Sequence, residues 1–518
     1  MLFSSHAFLF AFLPSALVGF FVIGQTGRTR AALGWLVVMS LVFYGWWEPA
    51  YLLVLIGSML FNYGIGSHLA VQALRHGPRP NSARLVLALG IGTNLALLGY
   101  FKYANFFVEN VNAALATAWS TERLLLPLAI SFFTFQQIAF LIEAWRGEVT
   151  DRDPLRYALF VSFFPQLIAG PIVHHREMIP QFARLRTFVP RFDALAVGLT
   201  IFAIGLFKKT VLADGMAAYA DPLFTAAESG IPLTITEGWL AALAYTFQLY
   251  FDFSGYSDMA IGLARLFGVD LPINFNSPYK AVNIADFWRR WHMTLSRFLR
   301  DYIYIPLGGG RKGPSRRHVN LMTTMLLGGL WHGAGWTFVA WGGLHGIYLV
   351  VNHLWRGMTA GMPGGVAGRV VGRAMTFIAV VVAWVFFRAE TFSGALAVLR
   401  AMAGGNGIVV PERIAGVLSS VLPAWVSVSS GGLTPQVVNG AVAVVLVTLV
   451  GAIALFGPNT QQILWNYRLG LGNKRLTTPP SHLWRWRLQT GWAAATACVA
   501  AFGILGMSEK NEFLYFNF

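Results

Sequence analysis

The chain has a single cysteine, Cys498, and little charge: 12% of its 518 residues are Asp, Glu, Lys or Arg. One cysteine excludes an internal disulfide framework and any cysteine-ligated zinc site. Lying in the apolar run 491–506, it reads as a buried, inert thiol. Soluble domains carry about 25% charged residues. A chain with half that share and a mean hydropathy of +0.57 reads as a polytopic membrane protein. Acid is scarcer than base, 22 residues against 38, for a net charge of +16. No G-x-S-x-G motif occurs, which disfavours an internal serine hydrolase. The start, Met1-Leu2-Phe3-Ser4, lacks a basic n-region and a small-residue cleavage site, so the first apolar run reads as a retained span.

Apolar runs of crossing length fall near 7–24, 31–47, 50–70, 85–101, 124–144, 193–207, 234–252, 319–333, 335–352, 374–388, 438–456 and 488–506. The basic residues gather in short segments between them, which is the pattern of cytoplasmic loops and disfavours nucleic acid as the partner. Arg75–Arg84, Arg146–Arg156, Arg176–Arg186 and Lys280–Arg317 are expected in the cytoplasm; the last holds nine Lys/Arg against Asp286 and Asp301. Asp214–Pro232, Glu390–Gln436 and both termini are expected outside. The run Tyr157–Val173 has basic flanks on both sides and carries Pro165, Gly170 and Pro171 inside it. It reads as a re-entrant or broken helix returning to the cytoplasm, with a kinked span as the alternative.

Chemistry concentrates between Asn276 and His332. Ile284–Arg300 reads as one amphipathic surface helix capped by Asn283. Its apolar arc holds Phe287, Trp288, Trp291, Leu295, Phe298 and Leu299, and its basic arc holds Arg289, Arg290, Arg297 and Arg300. His292 sits at the border of the apolar face. Gly308-Gly309-Gly310-Arg311-Lys312-Gly313 matches G-x-G-x-x-G formally, but no strand precedes it, so the Rossmann reading fails. The glycine turn with Arg311 and Lys312 either holds a phosphate-bearing donor or is a basic loop without a ligand.

His332 lies about fourteen residues beyond the basic cluster ending at His318, roughly 20 Å along a helix and inside the bilayer. An ionisable group at that depth points to function, here a base that takes a proton from an attacking alcohol. The alternative is a core histidine satisfied by a neighbouring helix. His345, beyond the Gly333-Ala334-Gly335 reversal, either orients His332 or packs. Trp331, Trp336 and Trp341 line a pocket or sit at the interface. A metal on His292, His332 and His345 needs long-range convergence, and none is expected. In Tyr250–Asp258, at the end of an apolar run, Asp258 is either a relay or ligand contact or part of a capped helix terminus.

At these residues the chain resembles the membrane-bound O-acyltransferase family, most closely its bacterial alginate O-acetylation branch. The segments are Ser131-Phe132-Phe133-Thr134-Phe135-Gln136, Pro165–Ile172, Tyr250–Asp258, Trp288-Arg289-Arg290-Trp291-His292, Trp331-His332-Gly333 and Phe513–Phe518. The D-alanyl transferase of teichoic acid modification is similar through the same two histidine motifs. The resemblance implies an all-α helical bundle with a central funnel or tunnel, forming one domain over 1–518. N-terminal helices would occupy 1–123, the catalytic core about 124–355, and C-terminal helices 370–518. His332 matches the essential histidine, and His292 a second position that is Asn or His in the family. Implied too are a cytoplasmic thioester donor such as acetyl-CoA with no bound cofactor, and a polysaccharide acceptor outside a bacterial inner membrane. The partner would be a periplasmic SGNH-type protein. Alginate, cellulose and peptidoglycan remain alternative acceptors. The competing reading is a polysaccharide or lipid-linked transporter or flippase without acyl-transfer chemistry.

Overall fold

The computed structural model describes residues 1–120, 126–359, 365–406, 408–410, 428–430, 440–471, 479–508 and 513–514. Among these, all regular structure is helical except one three-residue parallel pair, Ile408–Val410 with Val428–Ser430. Most of Glu390–Gln436 and the end of the Phe513–Phe518 motif lie outside the described residues. The chain forms two compact units, one of Met1–Phe207, Gly255–Asn274 and Thr460–Phe518, the other of Lys208–Ser254 and Phe275–Asn459.

Among the described residues, five helical segments are long and apolar enough to cross a membrane: Phe8–Gln25, Tyr51–His76, Asn81–Leu115, Phe192–Glu228 and Val366–Arg388. Shorter apolar helices cover Thr29–Gly45, Ile130–Trp145, Val442–Phe456 and Thr490–Leu505. Outward side chains on these helices are hydrocarbon, for example Leu53, Leu60, Leu85 and Leu89. Polar ones turn inward and pair. In the first unit Asn62 and Asn94, both buried, exchange amide hydrogen bonds of 3.1 and 2.7 Å between neighbouring helices. Such pairing replaces the water that hydrocarbon cannot supply.

The segment expected to break does so. Pro154–Ser162 is helical, with Asp153 accepting from the Leu155 and Arg156 N–H groups; a single turn, Phe164–Leu167, follows, and then extended chain to His174. Residues 159–175 are buried throughout, which is what allows irregular backbone there.

Four expectations are corrected. Asp214–Glu228 is not loop: the helix from Phe192 widens into a π-helical stretch at Lys208–Ala213 and continues to Glu228. Its charges are absorbed internally, Lys209 pairing with Asp214 at 2.7 Å and Asp252 at 2.8 Å. Tyr250–Asp258 is not a helix terminus either, because the helix runs from Ile235 to Leu266. Ile284–Arg300 is two short helices, Ile284–Trp288 and Met293–Leu299, separated at His292 in a left-handed backbone conformation. The Asn283 cap is present, accepting from Asp286 N–H at 2.9 Å. Lastly, Cys498 is exposed. Its helix packs through one face, where Gly503 meets Leu206 and Phe207, and leaves the other outward.

In the second unit Pro314–His332 and Trp336–Met358 form an antiparallel hairpin. Glycine sets its spacing. A Cβ at Gly342 would fall 2.4 Å from the Met325 carbonyl oxygen, and one at Gly329 would fall 2.3 Å from that of Phe338. Gly343, one residue on, would meet only the Leu326 side chain at 3.7 Å. Glycine costs a helix about 0.5–1 kcal/mol relative to alanine, so two neighbouring Gly→Ala changes should differ in sign. Gly343→Ala should hold or raise the thermal midpoint of detergent-purified protein, and Gly342→Ala should lower it. Equal midpoints for the two variants would refute glycine-limited packing.

Candidate active site

His332 is the last residue of the first hairpin helix and Gly333 caps it in extended conformation. The reversal folds tightly, since a Cβ on Gly333 would run into the Phe338 ring at 2.2 Å. The second hairpin helix places Trp341 and His345 one turn apart, with both side chains buried. His292 reaches the same region from the break between its two short helices. Because the chain turns there, Trp291 and His292 both point inward and are buried, while Arg289 stays exposed.

These elements bring the three histidines into one aromatic cluster inside the second unit. The His292 and His332 ring centroids are 6.4 Å apart. Trp331 lies 4.9 Å from His332 and 6.3 Å from His292. Trp341 stands edge-on to His332 at 5.1 Å and to His345 at 4.8 Å, so one indole touches both rings. Phe387 contacts His332 at 5.1 Å and Phe253 contacts His292 at 4.7 Å. Exposure is 0% for His292, 3% for His332 and 0% for His345.

Phe253, Trp384 and Phe387 were not among the residues expected at the site. The aromatic cluster Trp384, Phe386 and Phe387 at the end of a largely aliphatic run is the signal that could have marked it. His345 is enclosed by Trp341, Trp288 at 5.1 Å, Tyr348 at 5.8 Å and Trp384 at 6.0 Å. Neither of its ring nitrogens has a hydrogen-bond partner among the described residues. No group of three or more His, Cys, Asp or Glu side chains able to hold a metal occurs among those residues. Trp336 is exposed.

Asp258 belongs to the first unit, where Thr460 Oγ1 donates to its carboxylate at 2.6 Å. Of the basic residues, Arg290 is tied to Asp286 at 2.9 Å, and Arg289, Arg311 and Lys312 are exposed. The glycine turn takes positive φ at Gly308, Gly309 and Gly313. Several of its N–H groups are used locally: Gly308 donates to Ile305, Gly309 to Tyr304 and Arg311 to Gly308. Asn320 Nδ2 donates to the Gly309 carbonyl at 2.8 Å. The turn is therefore held by its own bonds, with the Arg311 and Lys312 side chains directed to solvent.

The chain matches the sequence profile of the membrane-bound O-acyltransferase family over residues 142–389. It is 47% identical to a peptidoglycan O-acetyltransferase of Helicobacter pylori, over 79% of this chain and 81% of that protein. It is 44% identical to a probable alginate O-acetylase of Pseudomonas putida, over 78% of this chain and 80% of that protein. A teichoic acid D-alanyltransferase of Streptococcus thermophilus is 31% identical over 45% of this chain and 59% of its own length.

A buried donor or acceptor left without a partner costs about 1–3 kcal/mol. His345→Phe keeps the ring and removes both nitrogens, so it should keep or raise the thermal midpoint of purified protein. A clear fall would mean that a bound group engages those nitrogens.

Proposed function

Because the chain belongs to the membrane-bound O-acyltransferase family, a family of multi-pass membrane enzymes, we propose that it moves acetyl groups across a bacterial inner membrane. The donor is a cytoplasmic thioester such as acetyl-CoA, and the destination is the hydroxyl groups of an exported polysaccharide, reached through a periplasmic SGNH-type partner. The observation that carries this reading is the pair of buried histidines, His332 and His292, facing one another across 6.4 Å in an aromatic enclosure. Relatives named for O-acetylation of peptidoglycan and alginate support the acyl group and the class of acceptor.

His332 is assigned as general base. It removes the proton of the acceptor hydroxyl as the oxygen attacks the thioester carbonyl, then returns it to the departing thiolate, so thiol and ester leave together. His292 is assigned to hold the acceptor or the developing oxyanion from the opposite side. Trp331 and Trp341 exclude water, which would otherwise compete as nucleophile. His345 is assigned a supporting role. Arg289, Arg290, Arg311 and Lys312 are assigned to attract the phosphates of the donor.

A radiolabelled acetyl-CoA assay on purified protein with acceptor tests this directly. His332→Ala should lower turnover by on the order of 10²–10⁴ at unchanged expression. Arg311→Gln with Lys312→Gln should mainly raise the donor KM and flatten its salt dependence. Near-normal acetylation by His332→Ala would remove the assignment, and no transfer by the unaltered protein would favour a flippase.

Charge alternation gives the orientation: Lys280–Arg317 in the cytoplasm, and the 229–232 loop and both termini outside. In a Cys498→Ala background, single cysteines in 229–232 should react with an impermeant thiol reagent from outside, and those in 308–313 should not. External labelling at 308–313 would invert the donor side and end the trans-membrane transfer reading.

A further inference from the structure

We propose that a small basic pocket in the first unit binds the phosphate of an anionic phospholipid headgroup. The pocket lies where the last turn of Phe8–Gln25, the start of the helix from Phe192 and the loop after Leu266 come together, and has a volume of about 60 Å³. That holds roughly four waters by the measure in which one water occupies 10–15 Å³, or one phosphate group. Arg186, Arg191 and Arg265 line it together with Phe21, Gly268 and Asp270.

Arg265 is the fixed member. One terminal nitrogen donates to Asp270 Oδ1 at 3.2 Å and to the Arg468 carbonyl at 2.7 Å. Its Nε–H is buried and has no acceptor among the described residues. The bonds to Asp270 and Arg468 fix Arg265 at the pocket wall, and phosphate suits a guanidinium fork. Arg186 and Arg191 are exposed and can swing over the opening. The pair Arg191–Asp193, at 2.6 Å, is also exposed, and such a pair contributes about 0–1 kcal/mol, so phosphate can displace it. Three arginines face two carboxylates, Asp193 and Asp270, and the surplus is positive.

The setting points to a lipid as the source. The pocket is at the ends of two membrane-crossing helices, the level at which headgroups sit. Beside the arginines, Leu185, Val189 and Phe192 are 76%, 56% and 87% exposed, and apolar side chains there are placed to enter the acyl region. A soluble anion would gain nothing from that rim.

Full-length protein in dodecyl maltoside, titrated with phosphatidylglycerol or phosphatidylcholine while its thermal midpoint is followed, tests the proposal. Phosphatidylglycerol should stabilise saturably and phosphatidylcholine should not. Arg265→Gln should weaken the apparent affinity at least tenfold. Should that variant fold poorly, Arg186→Gln with Arg191→Gln alters only exposed side chains and should weaken it severalfold. Equal responses to the two lipids, or an affinity unchanged in the double variant, would overturn the site. Stabilisation by coenzyme A or inorganic phosphate with none by phosphatidylglycerol would overturn the lipid assignment.

Discussion

Hydrocarbon offers no hydrogen bonds, and that constraint orders the rest of this structure. Every polar group on a crossing segment must find its partner inside the protein. Asn62 and Asn94 answer each other, Asp258 takes the Thr460 hydroxyl, and Lys209 sits between Asp214 and Asp252. The same rule decides where the chain can leave helical geometry. The broken segment after Ser162 is tolerated because residues 159–175 are all buried. The helical break at His292 is tolerated because aromatic rings close around it.

The histidine cluster depends on that sealing and on how closely two helices approach. Gly329 and Gly342 let the hairpin backbones come within a distance no side chain permits, which sets the height of His332 against Trp341 and His345. The rings then hold one another. Aromatic pairs of this geometry contribute about 0.5–1.5 kcal/mol each beyond the area they bury, and His332 touches Trp331, Trp341 and Phe387 at once. A ring gripped by several faces keeps its orientation without flexible support, which is what the proposed role of general base asks of His332.

Much of this was legible in the sequence, because membrane segments and buried histidines announce themselves through hydropathy and charge. His332 and His292 stand in distinctive aromatic motifs, and the structure brings both to one place. The misreadings share a cause. Asp214–Glu228 and Tyr250–Asp258 carry charge, and charge normally marks the end of a span. Here Lys209, Asp214 and Asp252 neutralise one another in space although Asp252 lies in a different helix, far along the chain from the other two, and no local pattern records that. Cys498 looked buried because its run is apolar, yet in a bilayer an apolar face turns outward as readily as inward. Phe387 reaches His332, and Trp384 reaches Trp341, from a helix further along the chain, a convergence that periodicity does not encode.

The backbone at His292 adds a constraint that the chemistry alone does not explain. Its φ of 41° and ψ of 54° lie in the left-handed region, which most side chains avoid at a cost of roughly 1–2 kcal/mol. Asn, Asp and His are enriched there several-fold over other non-glycine residues. The family resemblance carries Asn or His at this position. Of the residues that enter this conformation easily, Asp would bring a full charge into a site lined by Trp and Phe, and glycine would bring no side chain. Asn and His remain: each turns the chain here, stays neutral, and presents a hydrogen-bonding group towards His332. The backbone turn that ends Ile284–Trp288 thus constrains the residue at position 292 independently of the role proposed for it. The break in what looked like one amphipathic helix is the device that turns His292 from the helix border into the site.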